Sequence, residues 1–176
     1  MAGRRADCNP MYSGRIDSDQ GRPAVRRHKG IMSDLVTSKA QLPRTAPFAL
    51  IGDEEGVRRL VEAFYNIMEQ DPAFARLRAI HAADLGPMRA RLADFLVQWM
   101  GGPRVYAERH PGRPCIVSAH SPFWIDGAMA DDWMACMAKA FDRARTPEAV
   151  RHWVEPVLSD MCQGLRNDRA NEGAVG

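Results

Sequence analysis

The sequence predicts an all-α protein, and three observations carry that reading. Apolar residues recur at helical spacing along most of the chain between residues 57 and 165. No stretch of useful length alternates apolar with polar residues as a half-buried strand does. Prolines fall at the edges of the periodic stretches rather than inside them, with one exception, Pro156.

The first stripe is Val57, Leu60, Val61, Phe64, Ile67 and Met68, which share one helical face. Asp53 is placed to cap this helix, Glu54 and Glu55 suit its positive end, and Asp71-Pro72 ends it. The second stripe is Leu85, Met88, Leu92, Phe95, Leu96 and Trp99, opened by Gly86-Pro87 and stopped by Gly101-Gly102-Pro103. A third helix is predicted from about Ala130 to Arg143, carrying Trp133, Met134, Met137 and Phe141. The fourth starts at Thr146-Pro147-Glu148, read as an N-cap with proline at the first position. It carries Val150, Trp153, Val154, Val157, Leu158, Met161 and Leu165, and Pro156 is predicted to kink or split it.

Residues 103–126 read as a long loop punctuated by Pro111, Gly112, Pro114 and Pro122. Such a loop in a compact domain usually carries function. It holds His120.

Charge divides the chain. Residues 1–49 carry nine Lys and Arg against four Asp and Glu, whereas residues 50–176 carry fifteen against eighteen. The folded part is mildly acidic, so nothing draws it to nucleic acid. Residues 1–46, rich in Arg, Asp, Ser, Gly and Pro, are expected to be a disordered basic extension. Residues 47–168 are the expected folded domain and 169–176 a disordered tail. Met32-Ser33-Asp34-Leu35 reads as a natural start, which makes residues 1–31 a dispensable solvated extension in this reading.

Cys8, Cys115, Cys136 and Cys162 are scattered with no CxxC, which argues against a zinc ribbon or a dithiol redox pair and suits a reducing cytoplasm. The basic start has no apolar run behind it, so it is not a secretory signal, and no run of apolar residues is long enough for a membrane span. Phosphate loops, H-E-x-x-H and G-x-S-x-G are absent. Cys115 precedes His120 by five residues, but no third group or oxyanion motif supports a nucleophilic pair. His28, His110 and His152 have no partners at useful spacing and are read as surface residues.

His120 stands in Ala119-His120-Ser121-Pro122-Phe123, thirteen residues before Trp133. A neutral imidazole presented from such a segment is what haem iron takes as an axial ligand, and the indole N–H of Trp133 is a donor for the opposite side.

Three motifs extend this. Phe64-Tyr65 forms a pair in the first stripe. Trp99-Met100-Gly101-Gly102-Pro103 is followed by Tyr106. His120-Ser121-Pro122-Phe123 is followed by Asp132-Trp133-Met134-Ala135-Cys136-Met137. In this order, from Ile51 to Arg166, the chain resembles the group II truncated haemoglobins. The resemblance implies a truncated globin-like 2-on-2 helical sandwich around haem b, residues 47–168 being the haem domain. It implies that His120 is the proximal iron ligand and that Tyr65, Trp133 and His81 face the bound ligand. It implies a pocket lined by Phe64, Met88, Arg91, Leu92, Phe95, Tyr106 and Phe123, with Arg91 near a haem propionate. Ala119 departs from the family, which commonly has arginine just before the proximal histidine.

The function this implies is reversible binding of O2, with NO, CO or peroxide as further ligands. Several distal donors slow release, which favours sensing, scavenging or redox chemistry over bulk oxygen transport. A haem-dependent peroxidase or NO-detoxifying enzyme is the alternative, and it needs an outside reductant because the chain has no reductase domain. A haem-free helical interaction module is the third reading. The expected protein is cytoplasmic and a monomer or homodimer.

Overall fold

The computed structural model describes residues 46–111 and 116–168. The expected N-terminal extension, the start at Met32, Cys8, His28, Cys115 and the tail 169–176 lie outside the described residues.

The described residues form eight α-helices and no strand. Helix α1 (Pro47–Ile51) leads into α2 (Asp53–Gln70), and a 3-10 turn (Pro72–Phe74) leads into α3 (Ala75–Ala79). Then come α4 (Gly86–Trp99), α5 (Val105–Arg109), α6 (Ile116–His120), α7 (Gly127–Arg143) and α8 (Glu148–Leu165). The four long helices are those of the four stripes. Helix α2 packs on both α4 and α7, and α7 packs on α8. Phe64, Leu60, Met68, Leu96, Met137, Phe141 and Val150 are fully buried between them. Each such side chain stabilises the fold by about 1.5–3 kcal/mol relative to exposure.

Several boundaries differ from the sequence expectation. Asp53 does not cap α2. Gly52, with φ +93°, occupies the cap, and Asp53 itself lies in the left-handed region at φ +56°. Because α1 and α2 meet end to end there, backbone groups take the capping role, and the Gly56 N–H donates to the Gly52 carbonyl (3.0 Å). Asp71 ends α2 as expected, and its carboxylate accepts the Ala73 N–H to open the 3-10 turn. Helix α7 starts at Gly127 rather than Ala130, because Asp126 accepts the Met129 N–H (2.8 Å) and caps it earlier. Thr146 does not cap α8. Its N–H returns to the Phe141 carbonyl (2.9 Å) behind Arg145 at φ +54°, which closes the end of α7. Its hydroxyl is buried without a partner. Helix α8 runs unbroken through Pro156.

The expected long loop is not structureless, because it contains α5 and α6. Each has five residues, too few for a stripe to register in the sequence.

The Gly101-Gly102-Pro103 turn has a steric reason. Gly101 sits at φ +95°, and a Cβ on Gly102 would lie 2.7 Å from the Val97 carbonyl oxygen and 2.8 Å from the Phe48 ring. The turn thereby brings α1 against the end of α4, where the Phe48 N–H donates to the Met100 carbonyl (3.1 Å).

Candidate functional site

His120 is the last residue of α6, not a loop residue. Its Nδ1 lies 2.7 Å from the Ile116 carbonyl oxygen. A carbonyl only accepts, so Nδ1 carries the proton and Nε2 presents a lone pair. This is the tautomer a metal-ligating imidazole needs, with the second nitrogen fixing the ring. Val117 and Trp124 are each 55% exposed and Phe123 is 41% exposed. These are the exposed large hydrophobics among the described residues, and all three flank His120 in sequence.

The segment after His120 is pinned from the C-terminus. Asn167 Nδ2 donates to the Phe123 carbonyl (2.6 Å), and the Ile125 N–H donates to Asn167 Oδ1 (2.9 Å). The sequence reading missed Asn167, whose partners lie more than forty residues away.

Helix α2 supplies Phe64 and Tyr65, and α7 supplies Trp133. Phe64 is fully buried, with its ring 5.1 Å from Tyr65 and 5.1 Å from Trp133. Tyr65 in turn meets His81 edge-on at 6.1 Å. Trp133, Phe64, Tyr65 and His81 thus form one continuous aromatic line drawn from three parts of the chain. None of the described hydrogen bonds uses the Tyr65 hydroxyl. Burial pushes its pKa from 10.0 up to about 12, against the opposing charges of Arg89 and Arg91.

Arg89 is a second residue the sequence reading missed. Its guanidinium lies over the Tyr65 ring at 5.4 Å. It also pairs with Glu62 (2.6 Å) and Glu69 (2.7 Å), tying α4 to α2 on either side of Tyr65. These partners are 27 and 20 residues away, so no local spacing marks them.

His81 sits in the turn after α3, with Nδ1 2.8 Å from the Leu77 carbonyl oxygen. Arg78 donates to the carbonyls of Ala82 (3.0 Å) and Ala83 (2.9 Å) and holds that turn. Burial lowers the His81 pKa first of all. The Leu77 hydrogen bond opposes this, and the charges of Arg78 and His120 add to it.

The other pocket candidates fall into two groups. Phe95 packs edge-on against Tyr106 at 5.8 Å and stacks on Trp99 at 6.4 Å. Met88 and Leu92 are partly buried against the core. Arg91 is partly buried, and its Nε is enclosed without a partner, as suits a residue waiting for an anionic group.

His110 is not a surface residue, contrary to the sequence reading. It is half-buried, its Nε2 lies 3.1 Å from Asp94 Oδ2, and its ring packs 5.1 Å from Tyr106. Asp94 on α4 accepts from Arg109 as well (2.7 Å), so α5 is docked by two residues on one carboxylate.

Burial makes the site sensitive to alkali. Cys136, whose Sγ donates to the Phe64 carbonyl, and Cys162 are each pushed from 9.0 to about 12 by burial. For these thiols and Tyr65 the folded pKa lies above the unfolded one. Their stabilisation is complete below about pH 9 and is lost as pH rises toward 12, because the unfolded chain releases its protons first. Urea midpoints are expected to be flat from pH 7 to 8.5 and to fall steadily above it. Tyr65→Phe should flatten the part of the fall above about pH 10, whereas an unchanged slope there would count against the buried tyrosine as a source.

The fold and donor set define a class: a small all-α protein with a histidine nitrogen and exposed apolar side chains suited to a planar, apolar, metal-bearing cofactor. Residues 46–166 match the Bacterial-like globin family model, and the chain belongs to that family. It is similar to group 2 truncated hemoglobin YjbI of Bacillus subtilis, at 35% identity over 109 residues, 62% of this chain and 79% of that protein. Among solved structures it is similar to the group II 2-on-2 hemoglobin of Agrobacterium tumefaciens, with TM-score 0.67 and 31% identity over 72% of this chain and 98% of that one. The hemoglobin of Chloroflexus aurantiacus aligns with TM-score 0.64 and 35% identity over 70% of this chain and 99% of that one. The fold is therefore the 2-on-2 globin sandwich, and the cofactor of this family is haem b. The family binds small ligands at that haem. No described helix is long and apolar enough to cross a membrane.

The residues present fit haem. The Nε2 lone pair of His120 is a suitable iron ligand. The exposed Val117 and Phe123 are apolar surface for a macrocycle, and the unpartnered Arg91 Nε is a site for a carboxylate.

Proposed function

We propose that this chain binds O2 and related diatomic ligands reversibly, and that it serves sensing, scavenging or redox chemistry rather than bulk transport. The observations that carry the reading are the aromatic line of Trp133, Phe64, Tyr65 and His81 and a histidine whose Nδ1–H is already spent on Ile116. Bound haem supplies an iron with one position open to a small ligand.

His120 holds the metal through Nε2 and keeps its ring fixed through Ile116. Tyr65 offers its O–H toward the ligand side. A ligand that gains negative charge on binding becomes a charged acceptor there, and hydrogen bonds to charged acceptors are roughly twice as strong as neutral ones. That hydroxyl stays protonated throughout the physiological range, and burial raises its pKa further to about 12. Trp133 offers its indole N–H from α7, and His81 closes the line. Phe64, Met88, Leu92, Phe95, Tyr106 and Phe123 supply apolar contacts, and Arg91 neutralises a propionate.

Slow O2 release is the functional signature of these donors. Tyr65→Phe is expected to keep haem and its proximal spectrum while speeding O2 dissociation by about tenfold, the equivalent of one hydrogen bond of ~1.4 kcal/mol. Stopped-flow displacement of O2 measures it. A rate equal to that of the unsubstituted chain would remove Tyr65 from the ligand side.

A further inference from the structure

Beside the site lies a cleft of about 620 Å3 whose walls include Met68, Gln70, Asp71, Arg78, His81 and Ala83. His81 is the one residue that lines this cleft and also belongs to the aromatic line. Its ring meets Tyr65 edge-on at 6.1 Å, and the same residue lines the cleft. The cleft is lined by both apolar and polar side chains, whereas Tyr65 is 5% exposed.

The way His81 is held also matters. One ring nitrogen is fixed to the Leu77 carbonyl, and its turn is held from outside by Arg78 on the carbonyls that follow. The backbone is therefore anchored, and the ring moves by rotation about its own side-chain bonds once the single Leu77 bond breaks. Side-chain rotamer changes are fast, and such a movement needs no helix to shift.

We propose that His81 is the door between this cleft and the Tyr65 side of the haem pocket, so that diatomic ligands reach the pocket from the cleft. The proposal rests on the reading of Tyr65 as a ligand-side residue. Gln70, Asp71 and Arg78 give the cleft polar lining, and His81, when closed, keeps water in the cleft from Tyr65. A door differs from a hydrogen-bond donor in its kinetics. It changes association and dissociation alike and leaves affinity nearly untouched, whereas a donor changes dissociation of O2 and with it the affinity.

The test uses the haem-loaded full-length chain and CO, a poor hydrogen-bond acceptor, with flash photolysis. In His81→Ala, CO association and dissociation are both expected to rise by about tenfold, with affinity within about twofold. Ala83→Trp and Ala79→Trp fill the cleft from exposed positions outside the aromatic line, and both are expected to slow association and dissociation together. The absorption bands of Ala83→Trp and Ala79→Trp should be unchanged, which reports on the haem assignment separately from the door. If filling the cleft leaves both rates unaltered, or if His81→Ala changes CO dissociation without changing CO association, His81 is not the door. Loss of the haem bands in the unsubstituted chain would instead overturn the functional reading beneath it.

Discussion

His120→Ala is expected to lose haem, and this is the largest single effect the structure implies. The donor set explains why. His120 carries a ring nitrogen that is fixed in its tautomer by a backbone acceptor and left with an open lone pair. His81, the other imidazole nearby, spends its Nδ1 on Leu77 and belongs to the Tyr65 side, so it is a poor substitute. Losing even an outer-shell partner costs a metal site up to about 100-fold in affinity, and losing the ligand itself should cost more. The expected spectrum lacks the histidine-ligated Soret and visible bands, or shows weak, scrambled bands with free-haem character. Imidazole added to His120→Gly should restore them, because it supplies the missing nitrogen without the tether. A normal proximal-histidine spectrum in His120→Ala would refute the assignment. The apolar side chains beside it add a second reading of the same variant. Val117 and Phe123 are exposed side chains suited to covering by the macrocycle, so the haem-free protein should bind apolar dyes more strongly than the loaded one.

The long helices were legible because each carries a stripe of four to seven apolar residues that lie in the core or pack against it. The short ones were not. Helices α1, α3, α5 and α6 have five residues each, and one turn leaves no periodicity to detect. His120 therefore read as a loop residue, although its own side chain helps close α6 by bonding back four residues. Thr146-Pro147-Glu148 misled for a different reason. Threonine before proline is a good start signal for one helix, yet here the same threonine serves the end of the previous one. Tyr65 and Trp133 stood out through motifs, but only the fold places the Phe64 ring between them. Arg89, Arg78 and Asn167 left no sequence signal, because each acts on groups set beside it by tertiary structure or by the course of a turn.

Asp94 is the position where removing the partners is expected to be worse than removing the residue. It is the buried charged residue among those described, at 4% exposed, and it accepts from Arg109 (2.7 Å) and faces His110 (3.1 Å) and Arg58 (3.7 Å). The partners are not equally buried. The Arg109 and Arg58 side chains are 50% and 44% exposed and rehydrate easily, whereas the carboxylate does not. Arg109→Ala with His110→Ala leaves the buried carboxylate only Arg58 at 3.7 Å, without a close hydrogen-bonded partner, which costs about 3 kcal/mol. Asp94→Ala leaves mostly solvated cations behind, so its cost should be smaller, about 1–2 kcal/mol. The triple variant should then be more stable than the double one, since removing Asp94 removes the stranded charge. Urea unfolding of the four proteins measures this, and a triple variant no more stable than the double would deny that desolvation dominates. The same cycle reaches the site. Asp94 immediately precedes Phe95, and Arg109 shares α5 with Tyr106, whose ring packs against Phe95 at 5.8 Å. Undocking α5 should loosen that wall, so the double variant is expected to release haem faster while its ligated spectrum stays unchanged.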